Sequence, residues 1–181
     1  MGKILLFLAE GHEEIEALTV VDLVRRAKLE IATVSITGKR EVTGSHGITT
    51  IADMLLAEAD FDGADMLVLP GGMPGTLNLE ACEPLMAKVK EFAAAGKYIA
   101  AICAAPTVFG RAGLLTGKTA CCFTDMEGDL LGAKVSYEQV CKDGNIITSR
   151  GMGTSIPFGL KIVETFTDKA NADALAKKIV Y

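Results

Sequence analysis

The chain has 181 residues, of which 50% are hydrophobic and 23% are charged, and its formal net charge is −5. This length and apolar content are typical of one globular domain with its own core, so we expect a single domain over residues 1–181. The composition excludes an intrinsically disordered chain. The acidic balance argues against a nucleic-acid-binding protein, because such proteins present a strongly basic face.

No pattern in the chain is typical of membrane insertion or export. The first apolar run, residues 4–9, is short and ends at Glu10, so it does not resemble the core of a signal peptide. The longest uncharged stretch, residues 98–110, contains Pro106 and is shorter than the roughly 20 residues of a spanning helix. The five cysteines lack the even count and short spacings of a disulfide framework. We therefore expect a cytoplasmic protein with reduced thiols and no membrane partner.

Short apolar strands alternate with amphipathic helices along the sequence. Strands are predicted, in chain order, at residues 3–8, 30–36, 48–51 (as a hairpin with Val42), 66–69, 98–102 and 146–149. Helices are predicted at residues 13–27, at 83–95, from about Pro106, at 154–166 and at 168–178. This alternation predicts a three-layer α/β sandwich, with a mostly parallel sheet covered by helices on both faces. In such folds the functional site lies beyond the carboxyl ends of the strands.

Three of these strand ends carry unusual residues, and the third resembles a nucleophile elbow. The first two are the segments 10–16 (EGHEEIE) and 70–75 (PGGMPG). In the third, Cys103 stands at the apex of a turn from strand to helix, and the small residues Ala101 and Ala105 flank it. A position near a helix N-terminus favours thiolate, and nearby backbone N–H groups could hold an oxyanion. The alternative is that Cys103 is a small buried hydrophobic residue.

Four strings together resemble one known family: AAICAAP, LVLPGGMPG, GHEEIEALTVVDLVRRA and TSRGMGTS. They are similar to the ThiJ/PfpI superfamily and most closely to its DJ-one branch, the parkinsonism-associated deglycase proteins and their bacterial relatives. The resemblance covers about residues 3–163, with the motifs in the same order. It implies a flavodoxin-like fold related to class I glutamine amidotransferases. It also implies a homodimer built partly on the first helix, and no cofactor or metal.

The resemblance assigns roles to individual residues. The family's reactive cysteine falls on Cys103, its carboxylate partner on Glu16, and its backbone pocket on Gly72 and Ala104. Such a carboxyl group, when protonated, donates a hydrogen bond to the thiolate or to an oxidised sulfur. The alternative role for Glu16 is a first-turn carboxylate that stabilises the helix dipole, which suits Glu13 and Glu14 better.

The sequence departs from the family pattern at two places. Peptidase and chaperone-like members place a histidine directly after the nucleophile; here that residue is Ala104, so we do not expect peptidase activity. Many relatives carry another histidine after the next strand, and its place falls on Cys122. We therefore put Cys122 and His12 at the rim of the pocket. For His12, a solvated loop residue remains the alternative to an assisting role in proton transfer.

The other cysteines are interpreted as structural. Cys121 and Cys122 are expected on a strand, where packing is their simplest role, although Cys122 is also a candidate for the pocket rim. Cys82 and Cys141 are expected at the periphery. No spacing among the Cys and His residues resembles a zinc site.

Two hypotheses of function follow from the resemblance. The first is a cofactor-independent, cysteine-dependent glyoxalase III with deglycase activity. It would act on methylglyoxal, glyoxal or their protein adducts in defence against carbonyl and oxidative stress. The second is a non-enzymatic redox sensor or stress chaperone, acting through oxidation of Cys103 to sulfinic acid. Both depend on Cys103 and Glu16, so the sequence alone does not separate them.

Overall fold

A seven-stranded sheet forms the centre of the computed structural model, which describes residues 2–181. The strands in chain order are β1 (Lys3–Leu8), β2 (Glu30–Ser35), β3 (Glu41–Thr43), β4 (Thr49–Ile51), β5 (Met54–Leu55), β6 (Met66–Leu69), β7 (Tyr98–Ile102), β8 (Thr119–Ala120), β9 (Lys134–Val135), β10 (Val140–Asp143) and β11 (Ile146–Ser149). The main sheet has the order β10-β11-β7-β6-β1-β2-β5, and within it only β10 runs antiparallel to its neighbour. Strands β3 and β4 form a hairpin, and β8 pairs with β9.

Among residues 2–181, six helices accompany the sheet: α1 (Glu14–Arg26), α2 (Gly75–Ala81), α3 (Glu83–Ala94), α4 (Pro106–Arg111), α5 (Ser155–Phe166) and α6 (Lys169–Lys178). Short 3-10 turns lie at Leu56–Glu58, Glu127–Asp129 and Met152–Thr154. Within residues 2–181, none of these helices has the length and apolar character needed to cross a bilayer.

The two faces of the sheet contribute to two hydrophobic layers. Side chains of successive strand residues point to opposite faces, so Ile4 and Leu6 pack with α1, α5 and α6. Leu5 and Phe7 pack on the other face with α2, α3 and α4. All four side chains are fully buried. A strand covered on both faces has no polar side, which explains the continuous apolar run in the sequence. The predicted three-layer α/β sandwich is therefore confirmed.

Most predicted elements are present, and the differences involve short or exposed segments. The hairpin is confirmed, with Val42 paired to Thr50. Helix α2 was not predicted, because its seven residues are too few to show a helical period. Strand β10 was not predicted either: it is a four-residue edge strand of mixed polarity. The expectation that Cys121 and Cys122 lie on a strand is wrong, because β8 ends at Ala120.

Glu14 attaches the β3–β4 hairpin to the first turn of α1. Its side chain is buried, and Oε1 accepts hydrogen bonds from the backbone N–H groups of His46 (2.9 Å) and Ile48 (3.3 Å). The other oxygen lies 3.1 Å from Nδ1 of His46. Burial alone would raise the pKa of Glu14, but these hydrogen bonds, with one from its own N–H, lower it to about 2. Glu14 is therefore an ionised anchor between two elements.

Candidate functional site

Cys103 occupies the sharp turn between β7 and α4 that the sequence predicts. Its φ is +65°, a left-handed conformation that is unfavourable for residues other than glycine. Two backbone hydrogen bonds hold it there: its N–H donates to the carbonyl of Ser149 (3.0 Å), and its carbonyl accepts from the N–H of Phe123 (2.8 Å). The strained residue is thus fixed by the end of β11 and by the segment after β8.

Gly71, in the turn after β6, lets the cysteine and the carboxylate approach each other. A Cβ atom on Gly71 would lie 2.6 Å from Cβ of Cys103 and 2.7 Å from Oε2 of Glu16. Both groups therefore border the same point in space, although they are 87 positions apart in the sequence. A side chain at position 71 would occupy the space in which they meet.

The Glu16 carboxyl group is buried in the first turn of α1. Its Oε2 accepts a hydrogen bond from the N–H of Gly71 (2.8 Å), whereas Oε1 has no hydrogen-bond partner among the described residues. Burial raises the pKa of Glu16 to about 7, outweighing the hydrogen bonds from Gly71 and Cys103, which lower it. Near neutral pH this carboxyl group is therefore poised to accept or to donate a proton.

The Cys103 thiol is affected by the same burial and by the charge of Glu16. Burial, the nearby carboxylate and its hydrogen bond raise the pKa of Cys103 to about 12, while the N–H groups of Ala104 and Gly72 lower it. While Glu16 is ionised, these effects outweigh the tendency of the helix N-terminus to favour the thiolate. The Glu16 carboxyl group and the Cys103 thiol thus each shift the pKa of the other.

The backbone pocket consists of the N–H groups of Gly72 and Ala104, which are directed at the sulfur of Cys103. Gly72 has a φ of +89°, which favours glycine. A Cβ atom there would also lie 2.7 Å from backbone atoms of Gly11 and His12. The turn after β6 thus packs directly on the loop after β1. Two N–H groups that converge on one point are the arrangement that stabilises an oxyanion.

The structure does not place His12 on a solvated loop, because its side chain is fully buried. Its Nδ1 lies 2.9 Å from the carbonyl oxygen of Ala9, and Nε2 has no hydrogen-bond partner among residues 2–181. Neither ring nitrogen is hydrogen-bonded to Cys103 or Glu16. His12 therefore lies in the loop that supports Gly72, outside the Cys103–Glu16 pair.

Cys122 is also buried and lies in the apolar layer that includes α4. Its Sγ is 3.3 Å from the carbonyl oxygen of Phe123, and burial raises the pKa of this thiol to about 12. Cys122 thus packs behind the segment that holds the backbone of Cys103. The rim position expected from the sequence stays a prediction, for a side chain that is buried in the folded chain.

A cleft of about 470 Å³ lies beside the Cys103 turn and was not foreseen from the sequence. Its lining includes Phe123, whose N–H binds the Cys103 carbonyl, and Arg150, which directly follows β11. The guanidinium of Arg150 lies over the ring of Tyr137, 5.6 Å from its centroid, and donates to Thr124 Oγ1 at 3.0 Å. The sequence feature that could have predicted this cleft is the position of Arg150, at the carboxyl end of a strand next to β7.

Comparison with known proteins identifies the family. The sequence profile described as "DJ-1/PfpI family" matches residues 2–165. The chain belongs to the DJ-1/PfpI family. DJ-1 homolog B of Arabidopsis thaliana is 39% identical over 97% of the chain, and the aligned region is 40% of that plant protein. The chain thus spans less than half the length of this relative. DJ-1beta of Drosophila melanogaster is 35% identical, with 97% of this chain and 95% of that protein aligned.

Two further similarities concern activity and fold. The protein named glutathione-independent glyoxalase DJR-1.2, from Caenorhabditis elegans, is 29% identical, with 98% of this chain and 95% of that protein aligned. Among solved structures, oxidised DJ-1 of Toxoplasma gondii superposes with a TM-score of 0.96 and is 34% identical, covering 100% of this chain and 99% of that one. The fold is therefore the flavodoxin-like DJ-1 fold.

Proposed function

We propose that the protein is a cofactor-independent glyoxalase that converts methylglyoxal or glyoxal to a 2-hydroxy acid, with deglycase activity on their protein adducts. The observation that carries the proposal is the meeting of the Glu16 carboxyl, with a pKa of about 7, and the Cys103 thiol beside two converging N–H groups. Membership of a family that includes a protein named as a glutathione-independent glyoxalase supports it. The role in the cell would be defence against carbonyl and oxidative stress.

In the first step, the sulfur of Cys103 adds to the aldehyde carbon of the substrate. The thiol proton passes to Glu16, which removes the need for a free thiolate before the substrate binds. The aldehyde oxygen becomes an oxyanion and accepts hydrogen bonds from the N–H groups of Gly72 and Ala104. Glu16 then gives the proton to this oxygen, which completes a hemithioacetal and leaves Glu16 as a carboxylate.

In the second step, Glu16 moves a proton between two carbons. As carboxylate, it removes the proton from the hemithioacetal carbon, and an enediol forms; return of a proton to the neighbouring carbon gives a thioester of the 2-hydroxy acid. One carbon is oxidised and the other reduced, so the electrons balance within the substrate. Water then cleaves the thioester and releases the acid and the Cys103 thiol. A group with a pKa near the working pH suits both directions of proton transfer.

A second candidate function is a redox sensor based on Cys103. The observation that favours it is the Oε1 atom of Glu16, which has no hydrogen-bond partner among the described residues. A protonated Glu16 could donate a charge-assisted hydrogen bond to a sulfinate on Cys103. In this role the same carboxyl group would stabilise an oxidised sulfur instead of transferring protons.

We further propose a homodimer built partly on α1. Ile15 and Leu18 are 50% and 38% exposed, and with Ile48 and Ile156 they line a largely apolar groove of about 570 Å³. A continuous apolar patch on a protein surface often marks a contact between subunits.

The experiment that tests the glyoxalase proposal measures lactate formed from methylglyoxal without glutathione or added metal. Wild type and Cys82→Ser should turn over at rates within about twofold of each other, because Cys82 is a half-buried thiol between α2 and α3, away from Cys103 and Glu16. Cys103→Ser should fall to the uncatalysed background. A wild type without turnover would overturn the glyoxalase proposal, and peroxide oxidation of Cys103 would then test the sensor.

A further inference from the structure

Two cysteines outside the candidate site, Cys121 and Cys141, are brought together at the edge of the main sheet. Cys141 lies on β10, where it pairs with Thr148 of the antiparallel neighbour β11. Residues directly opposite each other on antiparallel strands carry their side chains on the same face. Cys121 follows β8 and donates its N–H to Oγ1 of Thr148 (3.0 Å). Thr148 therefore has one cysteine beside it on its own sheet and the other above its hydroxyl group.

Both cysteine side chains lie beside Thr148 in this arrangement. Sγ of Cys121 lies 3.4 Å from the carbonyl oxygen and 3.7 Å from the hydroxyl oxygen of Thr148. It also meets the backbone N–H and the thiol of Cys141. This contact, together with the Ser136 hydroxyl, lowers the pKa of Cys141 and raises that of Cys121.

The two thiols differ in their access to solvent. Cys121 is fully buried, whereas Cys141 retains 7% of its surface exposed, so an oxidant that arrives from solvent meets Cys141 first. Cys141 is also the thiol that ionises more readily, and the thiolate is the form that reacts with peroxide. The pair thus combines an attacking thiol and a neighbouring resolving thiol. The sequence gives no hint of this, because the two residues are 20 positions apart.

We propose that Cys121 and Cys141 form a reversible disulfide when the protein meets hydrogen peroxide. The sulfur of Cys141 attacks one peroxide oxygen, the O–O bond breaks, and a sulfenic acid and water form. The sulfur of Cys121 then displaces the sulfenic oxygen, which leaves as a second water. Two thiols are oxidised and one peroxide is reduced, and a dithiol reductant reverses the bond.

The disulfide would link β10 to the segment that supports the site. Phe123, two residues after Cys121, donates the hydrogen bond that holds the Cys103 carbonyl. Oxidation at this edge would therefore restrict the backbone that positions Cys103. This proposal concerns different sulfur atoms from those of the proposed function and does not depend on it.

The test is peptide mapping without reduction after a peroxide titration of the native protein. Trypsin cleaves after Lys118, Lys134 and Lys142, so Cys121 and Cys141 fall on different peptides, residues 119–134 and 135–142. The expected product is these two peptides joined with the loss of two hydrogen atoms, and separated again by dithiothreitol. A wild type with no linked peptide, at peroxide doses that convert Cys103 to sulfinic acid, would overturn the proposal.

Variants identify which sulfur forms the bond, because Cys122 lies on the same peptide as Cys121. Cys122→Ser should retain the link, since its thiol is directed at the Phe123 carbonyl. Cys121→Ser and Cys141→Ser should each lose it. A link that survives in Cys121→Ser, or disappears in Cys122→Ser, would also overturn the proposal. Circular dichroism of each variant separates a lost bond from a lost fold.

Discussion

At the scale of single residues, Glu16 and Cys103 gain their properties from positions that are distant in sequence. The family motifs around Glu16 and Cys103 predict the roles of both residues. The small residues that flank Cys103 predict the sharp turn from strand to helix. The pKa values of the two groups could not be predicted from the sequence, because they depend on burial in the folded chain. Part of that burial comes from Gly71, in the turn after β6, which packs against Glu16 and donates its N–H to Oε2. Whether Cys103 carries a proton is therefore a property of the folded site.

Replacing Glu16 should change how stability depends on pH. The pKa of Glu16 rises from 4.5 to about 7 on folding, so its stabilising contribution is complete below 4.5 and is lost as pH rises through 7. Over this window the loss is about 3 kcal/mol, at 1.36 kcal/mol per pKa unit. Glu16→Gln should therefore become more stable relative to wild type as pH increases. Urea unfolding at about pH 5 and about pH 8 measures the change.

The control for this experiment is Glu30→Gln, at an exposed position on β2. Its stability should follow wild type at both pH values. If Glu16→Gln and wild type kept a constant difference in unfolding free energy, Glu16 would not hold a raised pKa in the folded protein.

At the scale of elements, periodicity predicts the long helices and the doubly buried strands, because each has several turns or a continuous apolar run. It does not predict α2 or β10, which are short and take their conformation from their neighbours. The hairpin at Val42 is predicted from its glycines and β-branched residues. Its attachment to α1 is not, because the carboxylate of Glu14 binds N–H groups more than 30 residues away.

Removing the Glu14 side chain should loosen the β3–β4 hairpin. Glu14→Ala leaves the N–H groups of His46 and Ile48 without their acceptor, at a cost of about 1–3 kcal/mol. Amides of residues 44–48 should exchange with deuterium faster, as hydrogen-exchange mass spectrometry can show. In wild type the same anchor is lost as pH falls from 4.5 through about 2, because the folded pKa of Glu14 is lowered.

Glu13→Ala is the matched control, since the Glu13 carboxylate contacts the Ser45 hydroxyl and the His46 ring but neither of these N–H groups. Exchange of residues 44–48 should stay close to wild type in this variant. Equal exchange in Glu14→Ala and Glu13→Ala would contradict the anchoring role of Glu14.

At the scale of the whole molecule, the sequence predicts the three-layer sandwich because alternating strands and helices allow few other arrangements. The sequence does not show which apolar side chains stay exposed on the surface of the folded chain. The helical period of α1 includes Ile15, Leu18, Val21 and Val24, yet only the last two are buried within the chain. The exposed pair is the physical basis for the proposed dimer.

Light scattering should give a mass near twice the 19.0 kDa of one chain. Leu18→Asp places a charge in the groove on α1 and should shift the protein to a mass near 19.0 kDa. Leu77→Asp, at an exposed position on α2 away from that groove, should leave the mass unchanged. A wild type with the mass of one chain would exclude the dimer.

Combined substitution of Cys103 and Glu16 tests whether the two residues act as one catalytic unit. Methylglyoxal turnover is measured for wild type, Cys103→Ser, Glu16→Gln and the double variant under identical conditions. Residues that act as a unit give non-additive losses, so each single variant should lose about as much activity as the double variant. Turnover that survives in Cys103→Ser would show that Cys103 is not the nucleophile, and a double-variant loss equal to the product of the two single losses would show that the residues act independently.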